Sequence, residues 1–281
     1  MSDDIQKDIK LYTGCEKEYI FLGGLPRSGS TLLCNIFAQN SDFHVSKCTS
    51  ALHSIITLLK NNWANCIEHK AEGISYERLR ACQMALLNAY YQTDKKIIID
   101  KSRNWIGDIE MLEFILQKKA KIIATVREVR EVLASFESLY RKMNAKTQWG
   151  FRPEDLIKSK TTEGRCDIWA SATEPVGFCF NMIKDALAKG QSDRILFVEM
   201  DALTHNPEYT MSKIYEFIGK PSFIHNFNNV EQYTKEDDVL AYNIESLHDI
   251  RSKVEPVPRK SELILGVELH NKLVNQEIWR N

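Results

Sequence analysis

Several signatures that assign a chain to a common class of protein are missing from this sequence. No run approaches the roughly 18 apolar residues of a membrane-spanning helix, and the first residues, Met1 to Asp4, are polar and acidic rather than a secretory leader. We therefore expect a cytoplasmic protein without a membrane segment. The 37 basic and 38 acidic residues give a formal net charge of −1, so the overall positive field that favours nucleic-acid binding is absent.

The cysteines lack the spacing of a metal site or a redox motif. Seven are present, without a C-x-x-C pair. An odd, scattered set of this kind is typical of free thiols, several of them in the core. No cluster of histidines and carboxylates suggests a metal site either, so we expect a protein that works without a metal ion.

Repeats, low-complexity tracts and obvious linkers are also absent, which favours a single domain over residues 1–281. The sequence does contain short apolar segments that alternate with longer amphipathic stretches. Four nearly continuous apolar segments are predicted to be strands buried on both faces: 18–23, 96–100, 120–126 and 194–198. This alternation predicts an α/β fold with a central parallel sheet and flanking helices.

Helices are predicted in the intervals between these strands. The candidates are 31–39, 51–63, 76–91, 108–118, 129–142 and 208–218. A longer stretch, 167–189, is predicted to be kinked or broken at Pro175. Asn206 and Pro207 are typical of a helix N-cap and a first helical position. The polar segment 223–260 contains prolines and is predicted to be mostly loop lying over the site.

The segment from Gly24 to Thr31 follows the first predicted strand and precedes a predicted helix. Backbone N–H groups at such a corner point at a bound anion, and the helix dipole adds partial positive charge. The spacing is close to the G-x-x-x-x-G-K-[ST] loop of nucleotide triphosphatases, but Ser30 stands where the lysine belongs. That lysine is the main contact to the β- and γ-phosphates. The sequence therefore predicts an anion site, with Arg27 as its cation, that is not built for ATP hydrolysis.

Two further cations follow neighbouring strands. Lys101 comes directly after one predicted strand, and Arg127 directly after the next. Because ligands of parallel α/β sheets bind beyond the carboxyl ends of the strands, these cations and Arg27 indicate a shared polyanionic ligand. A rival interpretation takes Asp100 as the Mg²⁺ ligand of a Walker B strand, and the missing loop lysine argues against it.

The residues Pro26-Arg27-Ser28-Gly29-Ser30-Thr31-Leu32 resemble the 5′-phosphosulfate loop of sulfotransferases that use 3′-phosphoadenosine-5′-phosphosulfate (PAPS). The nearest branch is that of the tyrosylprotein sulfotransferases and their bacterial relatives. The resemblance covers roughly residues 19–219, with a weaker match at 247–253. It implies a P-loop-like fold and an enzyme that transfers a sulfuryl group in line from PAPS to a hydroxyl or amine acceptor, without a metal.

The same resemblance assigns roles to individual residues. Arg27 and Lys101 are expected to be catalytic, Lys101 by stabilising charge on the transferring group and on the bridging oxygen as it leaves. The other implied contacts to the donor come from Ser28, Gly29, Ser30, Thr31 and Leu32 at the phosphosulfate, from Arg127 and Ser135 at the 3′-phosphate, and from Arg251 and Lys253 in a late basic loop.

The general base is the part of the family pattern that this sequence does not reproduce. Segment 45–50 contains no carboxylate where the tyrosylprotein branch has its glutamate, which argues against a peptidyl-tyrosine acceptor. His53 is the nearest titratable group and is the candidate base. Glu199 and Asp201 are further carboxylates that could line the cleft, or simply form caps or ion pairs.

The acceptor and the assembly stay open at this point. The acceptor could be a small molecule, a sugar, a lipid or a peptide, and the protein a monomer or a homodimer. Two other functions compete with sulfuryl transfer: a P-loop kinase or nucleotide triphosphatase, and a non-catalytic nucleotide-binding relative.

Overall fold

A five-stranded parallel sheet forms the centre of the computed structural model, which describes residues 16–73, 75–143 and 151–280. The polar amino terminus, Met1 to Asp4, lies outside these ranges. The strands are β1 Glu18–Gly24, β2 Phe43–Val45, β3 Ile97–Lys101, β4 Ile122–Val126 and β5 Ile195–Glu199. Their order is β2-β3-β1-β4-β5, and every neighbouring pair is parallel.

Helices fill the crossovers between the strands. The α-helices of the described residues are α1 Ser30–Phe37, α2 Leu52–Asn65, α3 Ile67–Glu72, α4 Tyr76–Tyr90, α5 Ile109–Leu116, α6 Val129–Lys142, α7 Thr162–Trp169, α8 Pro175–Ala188, α9 Met200–His205, α10 Pro207–Ile218, α11 Asp238–Tyr242, α12 Ser261–Leu265 and α13 Val267–Lys272. Short 3₁₀ turns span Arg103–Asp108, Pro153–Asp155, Lys158–Lys160, Ser192–Arg194 and Ile278–Arg280. None of the helices described here is long and apolar enough to cross a membrane.

The sheet is covered on both faces, which explains why its strands are almost continuously apolar. Successive strand residues point to opposite faces: Ile98 and Ile122 belong to one core, and their neighbours Ile99 and Ile123 to the other. The first core also contains residues of α4, α5, α6 and α8, and the second contains residues of α1, α9 and α10. The predicted α/β class with a central parallel sheet is confirmed.

The edge strand β2 is the element of the sheet that the sequence prediction missed. The four predicted strands are present, with ends shifted by at most two residues. Strand β2 has only three residues and pairs with β3, Phe43 opposite Ile97. A segment this short carries too little hydrophobic periodicity to be distinguished from a loop.

Proline ends the helical pattern where the sequence predicted. The stretch 167–189 is two helices, because α7 ends at Trp169 and Pro175 opens α8 as its first residue, where its missing N–H costs nothing. Pro207 opens α10 in the same way. Asn206 holds the N-cap position there, but its side chain makes no capping hydrogen bond. In segment 223–260, the only helix described is the five-residue α11.

Candidate active site

The loop of residues 24–31 joins β1 to α1 and lies directly against β4. Gly24 has a φ of 115°, and a Cβ at this position would lie 2.0 Å from the carbonyl oxygen of Thr125. The N–H of Leu25 donates to the same oxygen at 2.9 Å. Gly29, with a φ of 91°, is the N-cap residue of α1. Glycine is therefore required at position 24 both by the left-handed backbone and by the approach of β4.

Replacing Gly24 with alanine is expected to lower the free energy of unfolding by at least about 2 kcal/mol, because the methyl group collides with backbone atoms that cannot move aside. Urea denaturation of the two proteins measures this difference. Gly190→Ala is the matched control, since Gly190 has a φ of 69° but open space around its Cβ position, and it should cost about 1 kcal/mol. Equal losses for the two variants would contradict the steric argument.

Backbone N–H groups of the loop are left without partners in the protein. Within residues 16–73, 75–143 and 151–280, none of the N–H groups from Arg27 to Leu32 donates a hydrogen bond. The first acceptor of α1 is the carbonyl of Gly29, which receives the N–H of Leu33 at 3.0 Å. A row of free N–H groups at a helix start is the arrangement that binds phosphate or sulfate oxygens.

The Ser28 side chain supports the loop rather than a ligand. It is buried, and its hydroxyl lies 2.7 Å from Oγ1 of Thr125, 2.5 Å from the carbonyl oxygen of Leu25 and 2.9 Å from that of Thr125. The hydroxyl is therefore already occupied, and the contact expected from Ser28 to the donor would come from its backbone N–H.

A cavity of about 770 Å³ opens beyond the carboxyl ends of β1 and β4. Most of the residues proposed from the sequence for the donor line it. These are Arg27, Gly29, Ser30, Thr31, Leu32, Arg127, Ser135, Arg251 and Lys253. Arg27 from the loop and Arg127 from the end of β4 therefore line one cavity, as the positions of these residues after the strands predicted.

Arg27 connects the loop to two other parts of the cavity wall. Its Nε donates to Oγ of Ser135 at 3.2 Å, and its Nη1 donates to the carbonyl of Leu247 at 2.8 Å. Its φ of 58° is unusual for a residue with a side chain. Burial, followed by the nearby cations of Arg127 and Arg103, lowers the pKa of Arg27 below its ordinary value. An anionic ligand would relieve this crowding of positive charge.

Arg127 follows β4 and is mostly buried, with Nη2 3.5 Å from Oε2 of Glu131. Burial lowers the pKa of Arg127, although the Glu131 carboxylate acts in the opposite direction. Glu131 also accepts hydrogen bonds from the backbone N–H of Lys260 and from the N–H and hydroxyl of Ser261. Its charge is therefore satisfied largely without Arg127, which leaves the guanidinium available to a ligand.

The late basic loop forms the outer rim of the cavity. Arg251 and Lys253 are both exposed, and Nη1 of Arg251 lies 3.3 Å from Glu255. The loop is held to the body of the protein by two backbone hydrogen bonds, from Val230 to Ser252 at 2.6 Å and from Val254 to Phe227 at 2.8 Å. The two cations are therefore placed to meet charged groups at the mouth of the cavity.

Lys101 ends β3 but does not line the cavity. Its Nζ is 2.5 Å from Oε1 of Glu236, and both side chains are only 5% exposed. Glu236 was not predicted, because it lies 135 positions away in a polar segment that gives no local signal. The expected catalytic cation is thus present at the strand end, in contact with a carboxylate from the late segment.

The chain just before Glu236 is fixed to α1 by Asn35. Oδ1 of Asn35 accepts the N–H groups of Tyr233 and Thr234 at 2.5 and 2.9 Å, and Nδ2 donates to Oγ1 of Thr234 at 2.8 Å. The N–H of Lys235 donates to the carbonyl of Lys47 at 2.7 Å. Glu236 therefore reaches Lys101 from an anchored backbone.

His248 is the histidine that the structure places on the cavity wall. Its Nδ1 lies 2.5 Å from Oδ1 of Asp238, and its backbone N–H donates to Oδ2 of the same residue at 2.9 Å. Burial opposes ionisation of Asp238, but the hydrogen bonds from His248 outweigh it and lower the Asp238 pKa. The weaker resemblance to the family at residues 247–253 includes His248. The sequence therefore indicated this segment but predicted no role for the histidine.

Glu236, Asp238 and His248 could also hold a metal ion, since their ligand atoms lie within 4.8 Å of one another. Nδ1 of His248 is 3.5 Å from Oε2 of Glu236. The ammonium of Lys101 already takes the other oxygen of Glu236, so a cation occupies part of this cluster. We treat the group as a proton-transfer and ion-pair network.

The candidate base His53 lies away from the cavity, which corrects the expectation from the sequence. Its Nε2 is 2.7 Å from Oδ2 of Asp108, its ring packs edge-on against Trp105, and only 6% of the residue is exposed. It borders a separate space of about 270 Å³. Position in the sequence suggested proximity to the loop, but α2 places this side chain against Trp105 and Asp108, beside the separate space.

The remaining carboxylates near the strand ends form internal contacts. Glu199 pairs with Arg280 at 2.5 Å, and Asp201 pairs with Arg259 at 2.8 Å. Asp100 is fully buried and accepts hydrogen bonds from the indole of Trp105 and the hydroxyl of Tyr91, each at 2.6 Å. Both oxygens of Asp100 are engaged in the core, so the Walker B interpretation loses its Mg²⁺ ligand.

Comparison with known proteins assigns the family. The model of the Sulfotransferase family matches residues 19–224, and the chain belongs to this family. This match confirms the resemblance to sulfotransferases seen in the loop. A search of curated proteins found no match.

Several of the solved structures that resemble this one are named sulfotransferases. The sulfotransferase domain of the olefin synthase from Synechococcus PCC 7002 is 20% identical over 92% of this chain and 95% of its own, with a TM-score of 0.48. Mouse sulfotransferase SULT7A1, complexed with PAP, is 14% identical over 99% and 92%, with a TM-score of 0.49. Both identities are below 25% and both TM-scores are below 0.5. The family is therefore assigned from the match of the family model to residues 19–224.

Proposed function

We propose that this sulfotransferase uses PAPS as its donor and transfers the sulfuryl group to a hydroxyl or amine of an acceptor. The observation that carries the proposal is the row of free N–H groups from Arg27 to Leu32, which opens into a cavity with several cations. A volume of about 770 Å³ suits a ligand of nucleotide size. The missing loop lysine and the internal contacts of Asp100 disfavour a kinase or nucleotide triphosphatase.

The order of the strands suggests how the donor lies in the cavity. The loop after β1 would hold the 5′-phosphosulfate through its free N–H groups and Arg27. Strand β4 lies on one side of β1, so Arg127 and Ser135 would hold the 3′-phosphate on that side. Arg251 and Lys253 on the rim would contact the donor phosphates from outside. The buried guanidinium of Arg27, crowded by the positive charges of Arg127 and Arg103, is suited to a ligand that carries this many negative charges.

PAPS supplies an already activated sulfuryl group, so the protein's contribution is positioning and charge stabilisation. The loop amides and Arg27 would fix the phosphosulfate in one orientation. Lys101, at the end of the neighbouring strand β3, does not line the cavity and would have to exchange its contact with Glu236 for the bridging oxygen of the donor. In the structure this ammonium is held by Glu236, which keeps it buried and limits its orientation.

His248 replaces His53 as the proposed general base. Asp238 accepts a hydrogen bond from Nδ1–H, which holds the imidazole in the tautomer whose Nε2 carries the lone pair. Nε2 would take the proton of the acceptor hydroxyl as its oxygen attacks the sulfur. Asp238 would then stabilise the imidazolium that forms, the usual role of a carboxylate behind a catalytic histidine.

Calorimetric titration with 3′-phosphoadenosine-5′-phosphate (PAP), the donor product, tests the donor assignment. PAP should bind at least ~10-fold more tightly than ATP–Mg²⁺, which brings no 3′-phosphate to Arg127 and Ser135. Arg127→Met should weaken PAP binding by ~10- to 100-fold, because one charge-assisted contact is lost. The fold should tolerate this change, since Glu131 keeps its hydrogen bonds to Lys260 and Ser261.

Two outcomes would reject the donor assignment. ATP–Mg²⁺ binding more tightly than PAP would favour the kinase alternative, and an unchanged PAP affinity in Arg127→Met would reject the 3′-phosphate site. Transfer of radiolabelled sulfate from PAPS to any acceptor would exclude the non-catalytic alternative.

A further inference from the structure

Arg103 is a cation of the cavity wall that the function described so far does not use. It is the first residue of the 3₁₀ turn that follows β3, it is half-buried, and it lines the same cavity as the phosphate loop. In the part of the chain that the structure describes, no acceptor lies within hydrogen-bond or ion-pair distance of its guanidinium. The sequence offered a signal for it, since Arg103 lies two positions beyond Lys101 at the same strand end.

The carboxylates that reach this part of the site are already paired with other cations. Glu236 is held by Lys101 at 2.5 Å, and Asp238 is held by His248 at 2.5 Å. Arg103 instead stands close enough to Arg27 to contribute to lowering the pKa of that guanidinium. A half-buried cation beside another cation, without a counter-ion of its own, is a costly arrangement unless a ligand supplies negative charge.

The order of the strands separates Arg103 from the proposed 3′-phosphate site. Strand β3 lies on one side of β1 and β4 on the other. The donor would extend from the loop towards Arg127 and Ser135 on the β4 side, so the acceptor must approach from the β3 side. Tyr242 and Asn243, from the end of α11 and just beyond it, line the cavity together with Arg103. Arg103 therefore belongs to the acceptor side.

We propose that Arg103 binds an oxyanion, such as a carboxylate, carried by the acceptor. This inference rests on the proposed function, because the donor's position defines the acceptor side. The guanidinium fork presents two parallel N–H groups to a carboxylate, which fixes both the distance and the orientation of the bound group. The acceptor class is then a hydroxy or amino compound that also carries an acidic group, rather than a neutral alcohol.

Matched pairs of ligands that differ only in this charge test the proposal. The probes are 4-hydroxybenzoate with its methyl ester, and 4-hydroxybutyrate with its methyl ester, titrated by NMR into the full chain saturated with PAP. The wild-type protein should bind at least one acid ~10-fold or more tightly than its ester, and Arg103→Met should remove this preference. Arg103→Lys should keep part of it, because the charge remains while the fork is lost.

Controls separate this subsite from the donor site. Arg78→Met removes an exposed arginine of α4 that is not part of the cavity wall, and it should leave the preference for the acids intact. PAP affinity should stay within about twofold of wild type in Arg103→Met, since the residue lies outside the donor contacts.

Three results would overturn the inference. The first is that the wild-type protein binds acids and esters equally. The second is that Arg103→Met still binds the acids more tightly than the esters. A loss of PAP affinity in that variant is the third, because it would move Arg103 to the donor side. Failure of the proposed function would be recognised separately, because PAP itself would then not bind. The acids and esters would in that case be compared in the protein without PAP.

Discussion

Replacing Lys101 with alanine is expected to reduce the turnover of sulfuryl transfer from PAPS by about 10²- to 10³-fold, while the affinity for PAP changes little. In the proposed mechanism, the ammonium at the end of β3 stabilises charge on the leaving oxygen. PAP has no sulfuryl group, so its binding does not depend on that contact. Steady-state kinetics with PAPS, combined with calorimetry of PAP, separates the two effects.

The ion pair with Glu236 complicates the single substitution. Both side chains are almost fully buried, so removing Lys101 leaves an unpaired buried carboxylate and should cost about 3–5 kcal/mol of stability. The double variant Lys101→Ala with Glu236→Gln removes that charge. It should recover much of the lost thermal stability, measured by the midpoint of denaturation, without recovering turnover.

The double variant also distinguishes a structural role of Lys101 from a catalytic one. If turnover returns together with stability, Lys101 serves the fold and has no catalytic role. If turnover stays low in a stable protein that binds PAP normally, the loss is chemical. A drop in PAP affinity parallel to the drop in turnover would place Lys101 in donor binding instead.

Replacing His248 with asparagine is expected to lower kcat by about 10²- to 10⁴-fold, the range for a general base. The loss should appear in kcat and not in the affinity for PAP, because the imidazole takes the acceptor's proton and makes no contact that PAP binding requires. Steady-state kinetics at saturating PAPS, combined with calorimetry of PAP, provide the test.

His53→Asn is the matched control for this experiment. His53 is buried against Trp105 and bonded to Asp108, so its replacement should change kcat by less than about tenfold. A larger loss in His53→Asn than in His248→Asn would restore the assignment made from the sequence. An unchanged kcat in His248→Asn would show that another group is the base.

Most of the proposed donor site was predictable because its information is local. The loop between Gly24 and Thr31 carries its own signal in the glycines, the hydroxyl residues and the absent lysine. Arg127 was found because a parallel sheet brings the carboxyl ends of its strands to one edge, whichever helices join them. Ser28 shows the limit of such reasoning: its backbone was placed correctly, but the direction of its hydroxyl depends on Thr125 across the sheet.

The acceptor side was not predictable in the same way. The partner of Lys101 comes from 135 positions away, and the polar segment 223–260 has no periodicity that would single out Glu236, Asp238 or His248. His53 was chosen by its proximity in the sequence, and the packing of α2 against Trp105 turned it elsewhere.

The sequence by itself determined the class of fold, the phosphate loop and the cations that follow the strands, because periodicity and strand-end position are properties of short segments. The tertiary structure decided the rest: which hydroxyl is occupied, which cation is paired and which histidine reaches the cavity. These depend on side-chain directions and on contacts between distant segments, which the packing of the late loop against β3 and α1 establishes. Arg103 combines the two, since the sequence places it at the strand end and only the folded chain leaves it without a partner among the described residues.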